Sequence, residues 1–383
     1  MKSVDLRHEN VSRGFWLSDG EECACLAIAY DWMYEYLSAD EREILVEICH
    51  RRLLPLGLER CRQGGEWWFA LRFSNWNAVC AGGLGMLCLA MHDECAEAHA
   101  ILPHVEKSLG VFMKPLADTD GGWPEGLGYW NYGMAYAFQY LLSWERSMGT
   151  VHPLMKLPAT KKTLSFPYYF YPHGMAAGFG DNDKYHPSPF HYAAAKRLRQ
   201  EQVMGEIDRE LAETGKGLGG LMGGSATFCV QHPGTAIRKL RTESQVAKVY
   251  KGLGWGMIAD SMPKPNLYLS MRGGNTTEEH NHVDLLSFRI LIGDECLIEN
   301  GEGGKYLHPT FFSKRRTDIN DINATYKNTL FINGVGVPPG SKTDSEKVVR
   351  GDGLYGVRMT ATTAMGPDVG ATFCGRLALI VDD

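Results

Sequence analysis

The feature that most limits how this chain can fold is a single change in its text. The first part carries apolar residues at helical spacing, while the last part is made of short β-like runs. Between them lies GKGLGGLMGGSATF, Gly215 to Phe228, a Gly-rich connection. Helical text followed by strand text predicts two differently built regions in series, because each kind of element must bury its own apolar face. The boundary falls near residue 235, giving a helical region over 1–235 and an antiparallel region over 236–383.

Within the first region, EECACLAIAYDWMYEYL (Glu21 to Leu37) is apolar on nearly all sides, as in a helix buried between others. Ser38 and Glu41 form a capping-box pattern for the next helix. More helical text runs over 77–91, 94–111, 130–146 and 189–202, joined by Gly- and aromatic-rich loops. Helix pairs joined in this way predict a helical toroid or solenoid. In the second region QVAKVYKGLGWGMIAD, NLYLSMR, DLLSFRILIG, ECLIEN, NTLFING, GLYGVRMTAT and GATFCGRLALIVDD read as strands of an antiparallel sheet domain. RLALIVDD still reads as a strand where the sequence stops, so the expectation includes an incomplete toroid and a truncated sandwich.

A net charge of -6 gives no basic footprint for nucleic acid. No run is apolar enough to span a bilayer. MKSVDLRHENVSRGFW lacks the apolar core of a signal peptide, which predicts a cytoplasmic protein, or a periplasmic or secreted one if the sequence is an N-terminally truncated piece. The ten cysteines include no C-x-x-C pair and read as reduced core thiols.

Four segments carry candidate chemistry. RGGNTTEEHNHVD, Arg272 to Asp284, places His280, His282 and Asp284 at alternating positions ahead of an apolar run. In an extended strand all three would lie on one face. Three titratable groups on one face are costly unless they serve a ligand, a metal or a proton transfer. SNWNAV places Asn75 and Asn77 around Trp76 at a helix entry. One Asn is explained by capping; two with a Trp point to binding, since amides can hold a carboxylate without adding charge. DGGWPEGLGYWNYG packs Trp123, Glu125, Tyr129 and Tyr132 into one stretch, either an aromatic cluster of the core or a carbohydrate cleft. HGMAAGFGDNDKYH, with Asp181 and Asp183, reads as a solvated or structural loop.

Taken in order, SNWNAV, EGLGYWNY, HNHVDLLSF, LIENGEGGKY and TYKNTLFING resemble the heparinase II/III-like polysaccharide lyases, including oligoalginate lyases, across roughly residues 20 to 335. The resemblance implies an (α/α) toroid followed by an antiparallel β-sandwich, with the active cleft between them. It implies β-elimination at a uronic acid in a glycosaminoglycan- or alginate-like substrate. That reaction needs the carboxylate neutralised, the C5 proton removed and O4 protonated as it leaves. The resemblance gives the first task to Asn75 or Asn77 and the acid, and also the base, to Tyr129, with His280 as its partner. Arg272 is the implied carboxylate clamp, and Trp76, Trp123, Glu125, Tyr132 and Tyr306 are the implied substrate contacts.

The resemblance also implies a zinc site with His282 and Glu299 as ligands. The third position is Lys327, and an ammonium is not a zinc ligand. A Lys327–Glu299 pair would instead replace the metal's charge. The competing expectations are a zinc hydrolase built on H-x-H-x-D, against which Leu285 and Lys327 count, and a carbohydrate-binding relative without turnover. The expected partner is an acidic polysaccharide or oligosaccharide; the oligomeric state is left open, a dimer among the options.

Overall fold

A computed structural model describes residues 14–181, 184–214, 241–300 and 308–381. The chain forms two compact units. The first comprises residues up to 115 with 130–161 and 186–238; the second comprises 116–129, 162–185 and 239–383. The second unit therefore gathers chain from both sides of the expected boundary, and position 235 itself lies outside the described residues.

The first unit is helical. Helix α1 (Leu17–Met33) packs on α4 (Asn75–Ala90), with α2 (Ala39–Ile48) and α3 (Leu54–Arg62) between them in sequence and α5 (Ala96–Met113) following. Helix α6 (Leu127–Met148) passes its first three residues to the second unit. The short α7 (Pro158–Thr163) has its last two residues in the second unit and the short α8 (Phe166–Phe170) lies wholly in the second, while α9 (Pro189–Arg197) and α10 (Glu201–Thr214) belong to the first. The α1–α4 contact depends on glycine. A Cβ on Gly83 would stand 1.9 Å from the carbonyl oxygen of Gly20, so only a hydrogen lets the two backbones approach this closely. The Ser38–Glu41 capping box forms, each side chain meeting the other residue's backbone N–H.

The all-round burial expected of α1 belongs instead to α4, which is buried from Asn77 to Cys88. Helix α1 buries only Asp19, Gly20, Cys23, Ala24, Ala27 and Tyr30 and leaves Trp32 and Met33 exposed. The nine described cysteines are free thiols, seven of them buried. Among the described residues no helix is long and apolar enough to cross a membrane.

The second unit is an antiparallel β structure resembling a sandwich. Strands β1 (Glu243–Val249), β2 (Trp255–Met262), β3 (Leu267–Arg272), β4 (Phe288–Ile292) and β5 (Glu295–Ile298) form one meander. Strands β6 (Ser345–Gly351), β7 (Leu354–Thr360) and β8 (Gly375–Val381) form a second sheet, with helix α11 (Thr362–Val369) between β7 and β8. Period-two alternation gives the first sheet two buried faces. Ile258 and Met271 meet Val357 and Met359 of the second sheet. Trp255, Tyr268, Ser270 and Arg272 point the other way, and residues 166–179 cover them. The Tyr268 hydroxyl donates to the Tyr169 carbonyl at 2.8 Å, and Ser270 donates to Ala177 at 2.6 Å.

NTLFING, expected as a strand, is not one; it holds an isolated bridge from Ile332 to Val335. Its Asn328 side chain takes the place of a ladder partner for β4, accepting from the Phe288 N–H at 2.8 Å and donating to the Phe288 carbonyl at 2.7 Å.

Candidate active site

The H-x-H-x-D segment is a loop between β3 and β4, not a strand. Its convergence comes from a kink. His280 has φ 61, a left-handed backbone that costs a non-glycine residue about 1–2 kcal/mol and is kept only where the surroundings enforce it. The kink turns both imidazoles onto one carboxylate, that of Asp181. His280 Nδ1 lies 2.8 Å from Asp181 Oδ2, and His282 Nε2 lies 2.9 Å from Oδ1. The Arg316 guanidinium adds contacts at 2.9 and 3.1 Å. The Asp181 backbone N–H donates to the His280 carbonyl at 3.0 Å. That approach needs Gly180, which has φ +99 and where a Cβ would stand 3.2 Å from the His280 oxygen.

A carboxylate only accepts hydrogen bonds, so these contacts fix the tautomers. His280 carries its proton on Nδ1 and His282 on Nε2. The remaining His280 nitrogen, Nε2, lies 3.9 Å from Glu125 Oε1. Glu125 is fully buried and accepts from the Trp123 indole at 3.0 Å. The Tyr129 ring stacks on the His280 ring at 4.0 Å between centroids and 26° between planes.

The charges follow from burial and partners. Burial by itself would raise the Asp181 pKa, but hydrogen bonds from His280 and His282 and the Arg316 charge hold it well below the usual carboxylate range. Burial lowers the His282 pKa to about 4, and the Lys327 ammonium pushes the same way against the pull of Asp181. His282 is therefore neutral at neutral pH, and Asp181 is ionised.

Comparison with solved structures places the chain in a known fold. Over the part it spans, the chain has the heparinase III fold. It is similar to a heparinase III crystal structure with a TM-score of 0.59 and 13% identity, covering 90% of this chain and 52% of that one. It is similar to a mutant of the heparan sulfate lyase HepC from Pedobacter heparinus with a TM-score of 0.60 and 14% identity, covering 100% and 63%. A heparinase III gene product with methylated lysines gives 0.61 and 13%, covering 96% and 51%. The chain thus spans about half to three-fifths of the length of these structures. No protein-family model and no curated protein matches its sequence.

Within the heparinase III fold, the expected site residues fall into three groups. Tyr129, Glu125, Trp123 and His280 come together in the second unit, as described. Arg272 and Asp284 lie in the same unit but face inward. Arg272 is 1% exposed, and its guanidinium meets the Asn275 carbonyl, Asn281 Oδ1 and, at 3.6 Å, Asp284. Asp284 accepts from Asn300 at 3.0 Å. The expected single face of His280, His282 and Asp284 is corrected accordingly: without a strand, the third residue turns to Arg272. A guanidinium spent on shaping the β3–β4 loop is not presented to a substrate carboxylate.

Asn75, Trp76, Asn77 and Tyr132 belong to the first unit. Asn75 is buried at the start of α4, against Gly133. Asn77 is tied into the core, donating to the carbonyls of Trp68 and Phe69 at 3.1 and 3.2 Å and accepting from Ser108 at 3.1 Å. Its amide is committed to structure. Trp76 packs with Trp16 and Trp67 in a partly exposed tryptophan cluster. The Tyr132 hydroxyl donates to Glu21 at 2.5 Å, and burial with that carboxylate pushes its pKa far up. Tyr306 lies outside the described residues.

The residues do not fit the implied zinc. Glu299 has a side chain 64% exposed and lies 3.8 Å from Arg289, rather than pairing with Lys327. His282 has committed Nε2 to Asp181, and the third position is the buried Lys327. Among the described residues no group of three His, Cys, Asp or Glu is placed to hold a metal.

Asp181 and Arg316 are the members of this cluster that sequence reading did not single out as site residues. Asp181 stands in GFGDND, which reads as a polar loop and gives no hint of its burial partners. Arg316 sits in SKRRTD, where nothing separates it from a solvated basic run.

Proposed function

We propose that the chain carries a polysaccharide lyase centre that breaks a uronic-acid-containing glycan by β-elimination, with its helical region built as an (α/α) toroid. One observation carries the reading: Tyr129 lies on the ring of a histidine whose tautomer is fixed by a buried carboxylate. With Nδ1–H held by Asp181, His280 offers the Nε2 lone pair to a proton, as a carboxylate-oriented imidazole does in general-base catalysis. An imidazole is chemically suited to taking a proton and a phenol to giving one.

In the proposed reaction His280 Nε2 takes the C5 proton. The electron pair left on C5 forms the C4–C5 double bond, and the C4–O4 bond breaks. Tyr129 delivers its proton to O4, and the two protons are then exchanged with solvent to reset the pair. The Glu125 carboxyl, 3.9 Å from His280 Nε2, is placed to favour the imidazolium formed after proton transfer. No step passes through a metal.

Similarity in fold to a heparinase III and to a heparan sulfate lyase supports an acidic glycosaminoglycan as the substrate class. The test is the ultraviolet absorbance of the unsaturated product when the full chain meets heparosan, heparan sulfate, chondroitin, hyaluronan and alginate. A rise on one of them supports the reading. A flat trace on all five with folded protein sinks it.

A further inference from the structure

A second candidate site lies in the first unit and is built from none of the residues of the candidate active site. Helices α1, α4 and α6 enclose a cavity of ≈ 330 Å³, at the small end of the range that takes small molecules. Helical spacing builds its walls. Gln139, Ser143 and Arg146 are four and three residues apart and share one face of α6, while Asp31 and Trp32 face it from the last turn of α1. Met86 of α4 is part of the lining and lies about 16 Å along that helix from Asn75.

Gln139 singles the cavity out. It is 4% exposed, lines the cavity, and its Oε1 has no hydrogen-bond partner among the described residues. Leaving a buried amide oxygen unmet costs about 1–3 kcal/mol, so a retained one marks a place where a partner arrives from outside the chain. The other polar groups narrow the ligand. Asp31 and Arg146 line the pocket, are exposed and bring opposite charges to its mouth. Trp32, 43% exposed, gives an aromatic face beside them.

We infer that this cavity binds a single pyranose sugar, bearing a carboxylate or not. Hydroxyls both donate and accept, so they satisfy Gln139 in either orientation of its amide. Vicinal hydroxyls suit the Asp31 carboxylate, a hydroxyl or ring carboxylate suits Arg146, and the C–H face of the ring suits Trp32. The inference uses none of the residues of the candidate active site and stands whether or not the chain is a lyase.

The test is ligand-observed NMR and tryptophan fluorescence on the full chain with D-glucose, N-acetyl-D-glucosamine and D-glucuronate. Binding of at least one in about the millimolar range or tighter is expected. Trp32→Ala and Arg146→Ala alter exposed positions, so folding is retained, and each weakens binding at least about tenfold. Gln139→Leu separates a ligand role from a structural one: it abolishes binding while leaving the melting temperature unchanged or raised. No binding of any of the three sugars overturns the inference. So does binding that survives all three substitutions, which would place the sugar elsewhere.

Discussion

Asp181 holds His280 Nδ1 at 2.8 Å with one carboxylate oxygen and His282 Nε2 at 2.9 Å with the other. One buried acid thus sets the tautomers of two imidazoles that alternate in sequence. Asp181→Asn replaces a pure acceptor with an amide that presents N–H to one of them and leaves Arg316 facing no charge. The expected outcome is a fall in kcat of at least about 100-fold and a loss of about 3–5 kcal/mol of stability. Product absorbance and urea unfolding measure the two. An unaltered rate in the folded variant would remove Asp181 from the positioning role.

Tyr129→Phe keeps the ring on His280 and deletes only the hydroxyl. Stability should change by no more than about 0.5 kcal/mol, while kcat falls about 10²- to 10⁴-fold with KM little altered. Equal loss in His280→Ala and in the double variant would show that the two residues act as a unit.

The pH dependence of stability carries a sign that can be checked. His282 is held neutral, with its pKa lowered to about 4 by burial. Between its ordinary value near 6.5 and that point, the unfolded chain binds a proton that the folded chain does not. Stability contributed by His282 is therefore complete above about pH 6.5 and falls as the pH drops toward 4, by on the order of 3 kcal/mol. Asp181, held low, loses its own contribution at more acid pH. Glu206 acts in the opposite sense, because burial, partly offset by Arg209, raises it to about 7. The clean measurement is the difference between the wild type and His282→Gln in urea unfolding at pH 7, 5.5 and 4. A difference that does not shrink toward acid pH contradicts the assignment.

Asn77→Ala separates structure from chemistry in the SNWNAV segment. The amide closes three buried hydrogen bonds, so its loss should cost about 2–4 kcal/mol. The rate of the folded fraction should not change. A selective loss of kcat at full stability would restore a chemical role.

What could be read from the sequence was whatever depended on local periodicity. The capping box at Ser38, the helix that opens at Asn75, and the strands β2 and β3 all rest on short-range pattern. What could not be read depended on distant partners. The H-x-H-x-D spacing was right to draw attention, but the reason it converges is a left-handed His280 and an acid 99 residues earlier. Arg272 looked like a ligand for substrate because nothing in RGGN discloses that Asn281 and Asp284 fold back on it. Asn328 was lost as a strand residue because its side chain copies a backbone partner.

The second unit collects residues 116–129 and 162–185 from the helix-rich half of the chain, and with them Tyr129 and Asp181. Neither half of the text is thus a portable module. A recombination event or an expressed piece that cut at the change of composition would carry off a sheet with both histidines but without the acid that orients them and the phenol that lies on them. The two stretches must be inherited together, and Asp181 is the residue whose fate would reveal a break between them.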